Sequence, residues 1–306
     1  MHVLVTGVGG FVGSHLARYL LAKGDRVTGT YVDVRPDLPG VDFQEVDLLD
    51  RATLERLVRR VDPDAIVNLA GLSHVGESWN RISDYFQVNV VGTDNLLAAA
   101  QGRPVVIASS AEVYGVVPEE RQPIREDEPV APSTPYALTK AAAERLAFLR
   151  GAVVARSFNM VGPGQARNFA LPAFALQLAA IAAGDTGEAE PVLRVGNLEA
   201  RRDFLHVEDG AAAYRLLAER GEPGGIYNLC SGRTASIAEA LDRLMAVSGV
   251  KVRVEVDPDR LRPLDLPLLC GDPGRLLALG WKPERDLDDA LADLWAEVRG
   301  VGAVQL

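Results

Sequence analysis

The chain has 306 residues, 48% hydrophobic and 24% charged, enough to enclose one large core with a smaller one attached. Its formal charge of −10 at pH 7 sets a repulsive average field against a phosphate backbone, which argues against nucleic-acid binding and requires a local basic cluster for any anionic ligand. Cys230 and Cys270 lie far apart with no CxxC spacing, which argues against a disulfide framework or a zinc site.

From the first residues to Ser157, short β-branched runs alternate with longer segments of helical period, the pattern of repeated βαβ units on a parallel sheet. Strands are expected at 3–6, 26–31, 43–46, 65–69, 105–108 and 152–156, and helices at 10–22, 52–61, 82–100 and 136–149. Directly after the first strand, Gly7, Gly10 and Gly13 form TGxxGxxG at the opening of the first helix. Glycine there lets the backbone approach a pyrophosphate at the positive helix end, although a tight strand-to-helix turn alone would also call for it. The fifth strand ends in VVIASSAEVYG, which offers Ser110 and Glu112. On the helix at 136–149, Tyr136 and Lys140 form YxxxK, an i,i+4 spacing that sets both on one face about 5–6 Å apart at Cβ. An ammonium beside a phenol favours the phenolate and is expected to draw it from about 10 toward neutral pH. No His/Asp pair accompanies the serines in a nucleophile-elbow setting, so a hydrolase triad is not expected.

After Arg156 the rhythm loosens through GPGQ, a helix rich in Ala and Leu, and a Gly/Glu-rich break at 184–190. Residues 208–219 and 225–229 read as a return to the main sheet, and 236–306 as an α+β tail. The MHVLVTG start is too short an apolar run for a signal peptide and no later stretch approaches a spanning length, so the expectation is a cytoplasmic protein with no membrane segment. Four scattered histidines suggest no metal.

TGxxGxxG followed by YxxxK resembles the extended branch of the short-chain dehydrogenase/reductase superfamily. The resemblance implies a Rossmann-type α/β fold, a doubly wound parallel sheet with a smaller C-terminal α+β substrate domain. Residues 1–157 with 205–230 would bind dinucleotide, and 158–204 with 231–306 a sugar nucleotide. The implied cofactor is NAD(P)H, held by Gly7, Gly10, Phe11, Val12 and Gly13, by Asp47 and Leu48 near the adenine, and by Leu69, Ala70 and Gly71 beneath it. Asp47 would serve equally to cap the next helix. At the end of the second strand, where an acid marks NAD and a nearby Arg marks NADP, stand Tyr31, Asp33 and Arg35, which leaves NAD versus NADP open. Ser110, Tyr136 and Lys140 match the catalytic triad of the superfamily. Ser109 is read as structural.

NLAGLSHVGES, SFNMVGPGQ, VGNLEARRDFLHVED and RLRPLDLPLLCGD resemble sugar-nucleotide enzymes of the GDP-mannose branch over nearly the whole chain, most of all its 4-keto-6-deoxymannose reductases. By that resemblance Ser73 and His74 lie near the sugar, Asn159, Asn168 and Asn197 on the substrate side, and Arg202 and Arg262 hold the diphosphate. Guanidinium forks suit phosphate oxygens. His74 would equally be a satisfied loop histidine. Glu112 matches the base of related 4,6-dehydratases, but Ala111 stands where an acid often neighbours it, so Glu112 is a base, a sugar-orienting group or a structural residue. The implied activity is reduction of a C4 keto group in a GDP-linked 6-deoxyhexose, with 4,6-dehydration, 4-epimerisation or non-catalytic dinucleotide sensing as alternatives. Helices 82–100 and 136–149 resemble the pair through which the superfamily forms homodimers.

Overall fold

The computed structural model describes residues 1–184, 191–261 and 266–301. Seven parallel strands form the main sheet: β1 (His2–Thr6), β2 (Arg26–Tyr31), β3 (Asp42–Glu45), β4 (Ala65–Asn68), β5 (Val105–Ser110), β6 (Val153–Ser157) and, much later in the chain, Ile226–Leu229. Their order across the sheet is β3-β2-β1-β4-β5-β6, with Ile226–Leu229 pairing beside β6. The fold is therefore a Rossmann-type α/β fold, and the strand order reverses between β1 and β4, where such sheets open a crevice beyond their carboxyl ends.

Helices cover both faces because the strands are apolar on both sides: Val3, Leu4 and Val5 are all fully buried. On one face α1 (Phe11–Ala22) packs with Val207–Arg220, joining Leu16 and Leu20 to Tyr214 and Leu217. On the other lie α2 (Arg51–Val61) and the helices that follow β4 and β5, whose core includes Leu54, Leu96, Ala143 and Ala147. Each fully buried leucine contributes roughly 1.5–3 kcal/mol.

The helix expected at 82–100 is not continuous. It runs as Ile82–Phe86, then a π-helical turn at Gln87–Val91, then Gly92–Ala99. The physical reason is Asn89, whose buried side chain accepts from Leu72 N at 2.8 Å and donates to Leu72 O at 3.0 Å and Thr139 Oγ1 at 3.1 Å. The wider turn swings this amide inward, as π turns at functional sites commonly do. The helix at Pro135–Leu149 starts where its caps dictate: Thr134 Oγ1 accepts from Ala137 N at 3.1 Å and Pro135 occupies the first turn.

A second layer is built from Asn159–Val161 and Arg201–His206, which pair in parallel, with Thr234–Ser236 and Leu268–Leu269 completing that sheet. Its core draws on Phe174, Leu178, Leu241, Leu291 and Trp295 from the helices Ala170–Ala183, Ile237–Ser248 and Leu287–Val301. Among the described residues no helix is long and apolar enough to cross a membrane.

Candidate active site

The turn from β1 into α1 is as tight as glycine permits. Gly7 sits at φ +67°, and a Cβ there would lie 2.8 Å from the Ala70 backbone. A Cβ on Gly13 would lie 2.3 Å from the Gly7 carbonyl oxygen. The α1 start at Gly10 has no side-chain cap, so its first-turn amides are left for a ligand, and Gly10, Phe11, Val12 and Gly13 line a cavity of about 420 Å³. This uncapped, glycine-rich cradle fits the pyrophosphate of a nicotinamide dinucleotide. Leu69 and Gly71 line the same cavity, whereas Ala70 serves through its backbone behind Gly7.

Farther along β2 and β3 the expected adenosine-side residues stand apart from that cavity. Tyr31 meets Phe43 edge-on at 6.1 Å, Arg35 stacks over the same Phe43 ring at 4.8 Å, and Asp33 adopts φ 65°. Asp47 does not cap the following helix. Its carboxylate accepts from Leu49 N at 2.9 Å, and Asp50 caps α2 by accepting from Thr53 N. Leu48 is buried against the Gly92 backbone.

Ser110, Glu112, Tyr136 and Lys140 converge on the far wall of the 420 Å³ cavity. Ser110 ends β5, accepts from Glu112 N at 3.2 Å, and lines the cavity together with the Tyr136 phenol. Lys140 donates to the Ala108 carbonyl at 2.9 Å and lies over the Tyr136 ring, 5.9 Å from its centroid. Burial governs both pKa values. It raises the Tyr136 phenol well above its ordinary value, the Ser110 hydrogen bond opposing and the Glu112 charge adding to the rise. It lowers Lys140 to about 8, with Glu144 pulling the other way. The expected drift of the phenol toward neutrality is thus reversed, because desolvation outweighs a lysine whose Nζ is engaged by a carbonyl. At neutral pH the phenol keeps its proton.

A buried network stands behind this wall. Ser109 donates to Glu144 Oε1 at 2.5 Å, and Arg156 clasps Glu144 with Nε at 2.9 Å and Nη2 at 2.7 Å while stacking on Tyr114. Glu144 lies one turn beyond Lys140, so the bidentate pair fixes this helix against β5 and β6.

Ser73 and His74 border the cavity too. His74 Nδ1 accepts from Glu77 N at 3.1 Å, so the proton resides on Nε2, and the ring meets Phe169 edge-on. His74, Asn159, Gln165 and Phe169 also line an adjoining cavity of about 510 Å³, which continues to Asn168, Asn197, Arg202 and Arg260. Asn168 donates to Glu77 at 3.5 Å and Asn197 accepts from Glu199 N at 3.0 Å. Arg202 is buried, with Nη1 donating to the Leu266 and Arg201 carbonyls at 2.6 and 2.9 Å. Arg201 pairs outward with Glu239 at 3.2 Å. Arg262 lies outside the described residues.

Ser157, Phe158 and Gln165 lay within the motif SFNMVGPGQ without being singled out as site members, whereas Phe169 and Tyr214, whose hydroxyl pairs with Ser157 at 2.9 Å, had no sequence signal. Asn89 was legible in hindsight, as an amide within the apolar run QVNVVG.

The chain is similar to known proteins over nearly its whole length. The profile of GDP-mannose 4,6 dehydratase matches residues 4–294. The GDP-6-deoxy-D-mannose reductase of Pseudomonas aeruginosa is 36% identical over 300 residues, covering 94% of each chain. The structure of RMD from Pseudomonas aeruginosa complexed with NADPH is similar with a TM-score of 0.86 at 34% identity, covering 98% of this chain and 99% of that one. The UDP-glucose 4-epimerase of Thermus thermophilus in complex with NAD is similar at 30% identity and a TM-score of 0.86, covering 98% and 99%. With a glycine cradle, a Ser-Tyr-Lys wall and this full-length likeness, the chain belongs to the GDP-mannose 4,6 dehydratase family.

Proposed function

We propose that the chain reduces the C4 keto group of a GDP-4-keto-6-deoxyhexose, converting GDP-4-keto-6-deoxy-D-mannose to GDP-D-rhamnose at the expense of NADH or NADPH. The observation that carries the reading is the buried Tyr136 with Ser110 and Lys140 in a cavity shared with the glycine cradle and adjoining one that contains Arg202. Likeness to the Pseudomonas aeruginosa reductase over 94% of the chain supports it.

Residues of the β1–α1 turn, with Leu69 to Gly71, would hold the dinucleotide, which when bound supplies a hydride to C4. Tyr136 Oη gives its proton to the ketone oxygen as that oxygen gains charge, and Ser110 donates a hydrogen bond to the same atom. Lys140, anchored on Ala108, keeps a positive charge beside the phenol. His74 with its Nε2 proton, Asn159, Asn168 and Asn197 would contact the sugar and its phosphates, and Arg202 the diphosphate. Residues 1–157 with 205–230 carry the dinucleotide in this reading, and 158–204 with 231–306 the sugar nucleotide.

One observation favours a second reading. Glu112 lines the same cavity as Tyr136, where a carboxylate would remove the C5 proton in a 4,6-dehydration. Incubation with the 4-keto sugar and NADH or NADPH discriminates: a reductase consumes reduced dinucleotide mole for mole, whereas no consumption together with conversion of GDP-mannose sinks the proposal.

The free thiols fit a reducing, cytoplasmic setting. Ile82, Val91, Leu138, Phe148 and Leu149 are exposed along 82–100 and 136–149, and a homodimer through these helices would cover them. Light scattering at twice the chain mass is the expected result.

A further inference from the structure

The loop Gly162, Pro163, Gly164 and Gln165 follows Asn159–Val161 and is fastened by residues remote in sequence. His15, in α1, places Nε2 at 2.8 Å from the Pro163 carbonyl oxygen. A carbonyl only accepts, so Nε2 carries the proton and donates it. The imidazole stands edge-on to Phe11 of the same helix, ring centres 5.7 Å apart at 82°. From the opposite side Gly164 N donates to both carboxylate oxygens of Glu297, each at 2.9 Å, on the helix Leu287–Val301. Below, a Cβ on Gly162 would lie 2.5 Å from Val207 Cγ1, so the backbone rests directly on that side chain.

This loop is a wall common to both cavities. Phe11 and Gly164 line the smaller one, while Gln165 lines both. The helix whose first turn forms the glycine cradle is therefore hydrogen-bonded to the segment that shapes the sugar side. A contiguous hydrogen-bonded chain of this kind gives coupling a physical route, and coupling between two binding equilibria is reciprocal.

We infer that His15 is a positioning residue that couples the two sites: by tying Pro163 to α1, it makes the placement of the sugar-side loop depend on occupancy of the dinucleotide cradle. This rests on the reading of the two cavities given above. His15 touches neither ligand in this scheme and acts through the loop.

The test uses the full chain, with NADPH and GDP as probes. Calorimetric titration of GDP with and without saturating NADPH gives the coupling factor, expected at about tenfold in the unmodified protein, within the roughly 5–150-fold range of inter-site coupling. His15→Leu keeps bulk but removes the donor. It should bind NADPH alone within about twofold of the unmodified protein while the coupling factor falls to about one. His15→Gln, whose amide can donate to the same carbonyl, should restore most of the coupling. Glu297→Ala should weaken GDP binding yet leave the coupling factor, since it frees the loop from the other side only. Hydrogen exchange adds a second readout: NADPH should slow exchange of the 162–169 amides in the unmodified protein and do so less in His15→Leu. Coupling that survives His15→Leu, equal loss in the Leu and Gln variants, or no exchange change on NADPH binding would overturn the inference. If neither NADPH nor NADH binds the unmodified protein, it is the dinucleotide reading that fails.

Discussion

The wall that bears Tyr136 and the wall that bears Arg202 are built on opposite principles. The first is made from β5, β6 and the one helix packed on them, Pro135–Leu149, held by short contacts that need no ligand: Lys140 on Ala108, Ser109 on Glu144, and Glu144 on Arg156. The second collects side chains from Asn159–Val161, Arg201–His206 and the loops at 162–169 and 257–261, and its arginine is steadied by a carbonyl more than sixty residues away. A wall set by the sheet suits a reaction centre, which must be preorganised whatever the sugar. A wall assembled from a smaller sheet and from loops remote in sequence suits choice among substrates. Substitutions in the first should therefore change rate, and in the second, selectivity.

The sharpest way to break that division is Tyr136→Phe, which should cut turnover by about 10²–10⁴-fold, as loss of a general acid does, while dinucleotide affinity by calorimetry stays unchanged. An unaltered rate would remove Tyr136 from the chemistry. Next in size is the support behind it. Glu144→Leu leaves the Arg156 guanidinium buried without its carboxylate and should cost about 3–5 kcal/mol in denaturant unfolding, part of which the double variant with Arg156→Leu recovers. A loss confined to surface-pair size, under about 1 kcal/mol, would show that the pair does not brace the wall. On the other wall, Arg202→Gln should raise KM for the sugar nucleotide by about tenfold or more, from loss of a charged hydrogen bond of roughly 1.5–3 kcal/mol, with kcat much less affected. A fall in kcat with KM unchanged would erase the distinction between the walls.

The smallest effect expected is on pH. Burial lowers Lys140 to about 8, while Tyr136 is raised and keeps its proton, so the alkaline limb of kcat should report Lys140 losing its charge near pH 8. Lys140→Arg, charged throughout, should abolish that limb. Stability moves the other way. Below about 8 the amine is charged in both states and its burial penalty is fully present. Between about 8 and the ordinary lysine value of 10.5 the unfolded chain holds the proton that the folded chain has released, so Lys140 destabilises less as pH rises.

Legibility in the sequence divides along the same line. β2 at Arg26–Tyr31 and α1 from Phe11 follow from alternation and glycine spacing because their partners are close neighbours in a repeating βαβ pattern. The tight turn at Gly7 and Gly13 and the meeting of Tyr136 and Lys140 on one cavity were equally legible, since they depend on backbone approach and helical spacing. The direction of the Tyr136 shift was not, because desolvation depends on what encloses the ring, including Tyr85 at 6.4 Å. Nor was the π turn at Gln87–Val91, which a helical period overlooks and Asn89's hydrogen bonds to Leu72 impose. On the substrate side the motifs picked out Asn197 and Arg202 by likeness, but their contacts with Glu199 and Leu266 are tertiary facts.

The central claim, hydride delivery to C4 with a proton from Tyr136, is tested most directly by product NMR after turnover of GDP-4-keto-6-deoxymannose with C4-deuterated NADPH or NADH. The account predicts one deuterium at sugar C4 and none at C5 or C6. Absence of label at C4, with solvent deuterium entering C5 when GDP-mannose is supplied in D₂O, would contradict it and assign Glu112 the base of a dehydration.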